Sequence, residues 1–115
     1  MRTYAQLLTQ HCTPQHGSAL AEADITRQLA ALPHWQYIQG AVQRAYVFKN
    51  YYETLAFVNA LAYIVHHEDH HPDLLVTYNR CEVRFNTHSV KGISENDFIC
   101  AAKTEALYEQ HAAAQ

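Results

Sequence analysis

Five of the chain's nine histidines fall where two short segments could bring them together: His66, His67, His70 and His71 in one cluster, and His88 further along. An imidazole with a reference pKa of about 6.5 exchanges protons near neutral pH, and in its neutral form it binds metals. Acid–base catalysis and metal binding are therefore the two chemistries this spacing could serve. A third reading needs no chemistry, since imidazolium groups at a helix C-terminus meet the negative end of its dipole favourably.

The metal reading has a literal motif, because His67-Glu68-Asp69-His70-His71 spells the H-E-x-x-H of zinc peptidases. That chemistry requires both histidines on one face of a continuing helix, and Pro72 forces His71 out of helical dihedrals. The context argues against it, and no metal is expected.

The elements that must position these side chains are legible in outline. Ile25, Leu29 and Leu32 recur at helical spacing before Pro33, which predicts an amphipathic helix from about Ala19. Trp35–Gln39 and Ala41–Phe48 read as a hairpin about Gly40. Asn50 and Glu53 stand at capping-box spacing and open a helix whose stripe is read as Leu55, Val58, Ala62 and Val65, with Pro72 as its stop. Leu74–Tyr78 and Cys81–Thr87 make a second hairpin about Asn79-Arg80. Along its second strand Cys81, Val83, Phe85 and Thr87 share one face, and Glu82, Arg84, Asn86 and His88 the other. Ser94 and Asp97 form another capping box before a last helix carrying Phe98, Ala101, Ala102 and Leu107. Trp35 and Phe57 are read as core.

The expected fold is an α+β domain: a four-stranded antiparallel sheet with about three helices packed on one face. Residues 1–18 are read as an irregular N-terminal arm, 19–110 as one domain, and 111–115 as a frayed C-terminus. An open sheet edge is a natural place for a second subunit to pair.

Composition narrows the function classes. Eight Lys and Arg against eleven Asp and Glu give a formal charge of −3, with no basic run to neutralise phosphates, so nucleic acid is not expected as a direct partner. No stretch of about 18 apolar residues and no leader pattern is seen, and a cytoplasmic protein without a membrane partner is the expectation. Cys12, Cys81 and Cys100 are odd in number and widely spaced, which reads as reduced thiols.

The series His66-x-x-x-His70-His71-Pro72, five residues to Tyr78, nine to His88 and eight to Asp97, resembles the signature of the pterin-4a-carbinolamine dehydratases. Trp35, Arg44–Phe48, Phe57-Val58-Asn59, Tyr78-Asn79, Thr87-His88 and the run Gly92 to Asp97 also resemble that family, over about residues 20–107. The resemblance implies His70, His71 and His88 as the active-site histidines. It also implies Asp69, Asn86, Thr87 and Ser89 as further substrate contacts, with His66 and Asp97 supporting. His66 stands where many members carry a carboxylate, and Lys91 where many carry glycine.

The reaction so implied removes the C4a hydroxyl and a ring N–H proton of a 4a-hydroxytetrahydropterin, giving quinonoid dihydropterin and water. Hydroxide leaves poorly, so one group must protonate it while another takes the nitrogen proton, with no cofactor required in principle. His70 and His88 are read as exchanging these protons and His71 as orienting the ring. The resemblance further implies a homodimer or homotetramer and a functional link to an aromatic amino acid hydroxylase. The alternative reading is a dimerisation or regulatory binding module without essential catalysis. Asp97 reads first as the closing residue of the Ser94 cap, and Thr87 as shared between core and substrate.

Overall fold

The computed structural model describes residues 1–114; Gln115, the last residue of the stretch read as frayed, lies outside the described residues. Four strands form one antiparallel sheet in the order β1-β2-β4-β3: β1 Gln36–Ile38, β2 Ala41–Val47, β3 Asp73–Val76 and β4 Arg80–Phe85. Four α-helices accompany it: α1 Tyr4–Thr9, α2 Glu22–Leu29, α3 Tyr51–Glu68 and α4 Glu95–Ala114. β2 and β4 pair at the centre, from Val42 opposite Phe85 to Val47 opposite Arg80.

The alternation read in β4 holds: Cys81, Val83 and Phe85 are wholly buried, while Glu82 and Arg84 face outward and are half-buried. On the same inner face Val42 and Tyr46 meet Phe57 and Leu61 of α3 and Phe98, Ile99, Ala101 and Ala102 of α4. Trp35 and Phe57 belong to this core. Tyr46 lies 5.0 Å from Phe57 and 4.7 Å from Tyr108, ring centre to ring centre, in tilted geometries. Such pairs add about 0.5–1.5 kcal/mol each beyond area burial. Into this apolar layer projects one carboxylate, Glu105, which accepts hydrogen bonds from Trp35 Nε1 (2.8 Å), Tyr46 Oη (2.6 Å) and Arg44 Nη1 (2.6 Å). Burial, reinforced by that carboxylate, drives the Tyr46 phenol far above its usual range.

Local rules explain the connections. Gln39 and Gly40 join β1 to β2 with positive φ at both positions (50° and 80°), the twist that a two-residue hairpin turn demands. The second hairpin turns one residue earlier than the sequence suggests: Thr77 N–H bonds to the Arg80 carbonyl at 2.9 Å, so Tyr78-Asn79 is the turn. Asn50 caps α3 by accepting from Glu53 N–H (2.9 Å), but Glu53 reaches past it to Lys49 N–H (3.1 Å). The Thr54 hydroxyl, 3.0 Å from the Tyr78 carbonyl oxygen, ties the start of α3 to the second hairpin.

Three expectations need correction. The buried stripe of α3 is Thr54, Phe57, Leu61 and Glu68; Leu55, Val58 and Val65 are half-buried and Ala62 is exposed. The helix is rotated so that its bulkiest apolar side chain, Phe57, meets the aromatic layer. Residues 1–18 are not wholly irregular, because Thr3 and Gln6 form a capping box and α1 follows, burying Leu7 against the core. Six residues are too few for a stable isolated helix, so packing on α4 supplies what propensity cannot. At the other end α4 continues through residues 111–114, with the His111 ring 5.2 Å from Phe48.

Candidate active site

The stop of α3 is sharper than Pro72 alone would make it. Asp69 takes the left-handed conformation (φ 52°, ψ 43°), with Asp69 N–H bonded to the His66 carbonyl and His70 N–H to the Val65 carbonyl at 3.2 Å. This paired closure satisfies helix-end carbonyls, and Asp tolerates the left-handed region better than most residues. The helix therefore ends at Glu68, between the two histidines of the H-E-x-x-H string. His67 stays on the helix, its Nδ1 bonded to the Tyr63 carbonyl at 2.9 Å, while His71 lies beyond the turn. The shared helical face that zinc peptidase chemistry needs is not formed.

The chain reversal sends His70 inward. Its Nε2–H donates to Asp97 Oδ1 at 2.6 Å, and its ring stacks on Phe85 at 6.0 Å and 12°. Asp97 is wholly buried, and its second oxygen accepts from the Thr87 hydroxyl (2.8 Å) and Ser94 N–H (2.9 Å). Thr87 has one hydroxyl proton and gives it to Asp97, so the 2.7 Å contact with Ser94 Oγ is donated by serine. Ser94 Oγ in turn accepts from Asn96 N–H at 3.2 Å. Asp97 thus serves both as the cap partner read from the sequence and as the group that holds His70. Thr87, on the apolar parity of its strand, is core and network member together.

His88 arrives on a 3₁₀ turn, His88–Val90, rather than on a strand, because β4 ends at Phe85. The turn is clamped by Thr87 N–H to the Gly92 carbonyl at 2.7 Å. Gly92 is required here, since a Cβ would lie 2.7 Å from the Ala19 side chain. The rings of His71 and His88, both exposed, stand edge to face at 5.9 Å.

His70, His71 and His88 line one cavity of about 430 Å³ together with Asp69, Asn86, Thr87 and Ser89. Every catalytic and substrate-contact residue read from the sequence is there. His66 is exposed and is not among the lining residues, and Asp97 stands behind His70 rather than at the cavity wall. Lys91 lies at the edge, in a smaller groove of about 260 Å³ that shares Asn86, Thr87 and His88 with the cavity. Tyr78 is exposed on its hairpin turn.

The remaining wall was not foreseen. Cys12, Thr13, Pro14 and Gln15 of the N-terminal arm line the cavity, with His67, Glu68 and Asn96. Glu68 is buried and accepts from Lys103 Nζ (2.6 Å), Cys12 N–H (2.7 Å) and His11 Nδ1 (2.9 Å). Burial alone would raise its pKa, but these donors outweigh burial and hold it at about 2, against an ordinary 4.5. Folding thus favours the charged form, so its contribution to stability is complete above about pH 4.5 and is lost as pH falls toward about 2. Urea unfolding across that window is expected to show a shallower pH slope in Glu68→Gln than in the native chain; identical slopes would mean the ion pair contributes nothing.

The thiols are free, as expected. Burial pushes Cys81 up to about 11, and Cys100 is raised further by its contact with Cys12, Sγ to Sγ 3.5 Å, and by burial. Among the described residues no helix is long and apolar enough to cross a membrane.

An open antiparallel sheet backed by helices is a fold that this chain shares with a solved pterin dehydratase. A crystal structure from Brucella melitensis described as a transcriptional coactivator/pterin dehydratase matches with a TM-score of 0.74 at 33% identity, covering 78% of this chain and 98% of that one. The family model for pterin 4 alpha carbinolamine dehydratase matches residues 18–107, and the chain belongs to that family. Curated relatives named provisionally as pterin-4-alpha-carbinolamine dehydratases agree. One from Stenotrophomonas maltophilia is 57% identical over 108 residues, covering 90% of this chain and 93% of the relative. One from Chromobacterium violaceum is 53% identical over 105 residues, covering 90% and 97%.

Proposed function

We propose that this protein dehydrates a 4a-hydroxytetrahydropterin to the quinonoid dihydropterin by histidine acid–base catalysis. The observation that carries the reading is the His70–Asp97 pair. With Nε2–H committed to a buried carboxylate, the imidazole is held in one tautomer and Nδ1 is left to exchange protons. The same carboxylate meets the positive charge that develops when the ring takes up a proton. The His88 carbonyl accepts from Lys91 N–H, but the His88 imidazole has no hydrogen-bond partner among the described residues, which leaves both ring nitrogens available to substrate.

In the step proposed, one of His70 and His88 protonates the departing C4a oxygen and the C–O bond breaks, releasing water. The other accepts the ring N–H proton, and the nitrogen electron pair closes the new C=N bond. His71, edge to face with His88, orients the ring. Asp69, Asn86, Thr87 and Ser89 are the supporting contacts of this reading. Regeneration of the pterin used by an aromatic amino acid hydroxylase is the setting it suggests, and the exposed Leu74 and Leu75 on edge strand β3 suit self-association.

The test follows the ultraviolet absorbance of freshly generated 4a-hydroxytetrahydropterin, with the uncatalysed rate subtracted. Acceleration by the native chain that vanishes in a His70→Ala, His88→Ala double variant supports the proposal. No acceleration by folded native protein would overturn it in favour of a binding role.

A further inference from the structure

Residues 11–15 have no regular secondary structure, yet four of their backbone groups, the N–H of Cys12 and Thr13 and the carbonyls of Thr13 and Gln15, are bonded by side chains of the protein. Glu68 holds Cys12 N–H and His11, and is itself fixed by Lys103. Asn96 grips Thr13 twice: its Oδ1 accepts Thr13 N–H at 3.1 Å, and its Nδ2 donates to the Thr13 carbonyl at 2.7 Å. The Ser89 hydroxyl donates to the Gln15 carbonyl at 2.9 Å.

The two anchors sit directly beside site residues in the chain, Glu68 before Asp69 and Asn96 before Asp97. Their side chains spend their hydrogen bonds on the strap, and Glu68 is neutralised by Lys103, so neither serves as an acid or base for substrate. The strap faces the same cavity as the three histidines.

We propose that residues 12–15 form a substrate-contacting wall of the site, with the Thr13 hydroxyl proton and the Gln15 Oε1 offered to the polar edge of a pterin while Gln15 Nε2 is held by Thr13, and with Glu68 and Asn96 as its positioning residues. This rests on the pterin reading above. A wall of this kind contributes to binding and leaves proton transfer at His70 and His88 alone, so its loss falls on KM and not on kcat.

The experiment measures kcat and KM for dehydration, and the Kd of biopterin by its fluorescence, in the native chain, Glu68→Gln and Asn96→Ala. The expected result is a rise of about tenfold in KM and Kd for each variant with kcat within about twofold, the scale of one charge-assisted hydrogen bond lost at Glu68 or of the two neutral ones lost at Asn96. Biopterin is also expected to slow amide hydrogen exchange in residues 11–15 of the native chain. If an anchor variant fails to fold, Thr13→Gly, at an exposed position outside the core, makes the same measurement. Native-like Kd in the folded variants, or no protection of residues 11–15, overturns the strap while leaving the pterin reading intact. A native chain that binds no biopterin overturns both.

Discussion

Replacing His70 by alanine is expected to lower kcat for pterin dehydration by about 10²- to 10⁴-fold, the range for a positioned general acid–base group. The His70 ring lies outside the main apolar core, and Asp97 keeps the Thr87 hydroxyl and Ser94 N–H as donors, so the fold should survive its removal. What is lost is an imidazole pinned between Asp97 and Phe85. Asp97→Asn should approach the same loss by another route. An amide presented to Nε2 can reverse the tautomer and leave Nδ1 protonated, while its other end must still satisfy the Thr87 hydroxyl and Ser94 N–H. The pair is best compared by kcat at saturating substrate with circular dichroism as the control for folding. A folded His70→Ala enzyme with native kcat would remove His70 from the proton-transfer step.

The second large effect is on stability. Glu105→Ala should destabilise the domain by about 3–5 kcal/mol, because it strands a half-buried Arg44 and leaves the Trp35 and Tyr46 donors without their acceptor. A domain of this size has about 5–15 kcal/mol in total, so the variant would lie near the threshold of folding at moderate temperature. The urea midpoint should fall with little change in slope. Glu105 does not line the histidine cavity, so kcat of the folded fraction should stay native. A loss of about 0–1 kcal/mol, typical of an exposed ion pair, would show that Arg44 and Tyr46 find other partners.

What could be read in advance divides along physical lines. The alternation of β4, the two hairpins and the caps at Asn50 and Ser94 are short-range patterns, and each appears near its expected place. The three histidines were singled out through the resemblance of their spacing to a family signature, and the structure brings them to one cavity. Features that depend on partners far along the chain were not. Glu68 meets Cys12 across 56 positions and Thr13 meets Asn96 across 83, and nothing local to either end announces the contact. The Glu105 cluster is hidden for the same reason, since its partners come from β2 and the segment before β1. The left-handed turn at Asp69 had no glycine to mark it, and the turn at Tyr78-Asn79 slipped by one residue because neither position takes the positive φ that a glycine would signal.

The fixed ends of α3 make it a ruler. Thr54 ties the first turn of the helix to the Tyr78 carbonyl, and the Asp69 reversal fixes the last, so the span between them sets where His70 emerges. One residue inserted between these points would advance the exit by about 1.5 Å and swing it by about 100° around the helix axis. That phase error would carry the imidazole off Asp97 altogether. Substitutions on the outer surface of α3 are therefore a matter of tolerance, whereas its residue count is a geometric constant of the site.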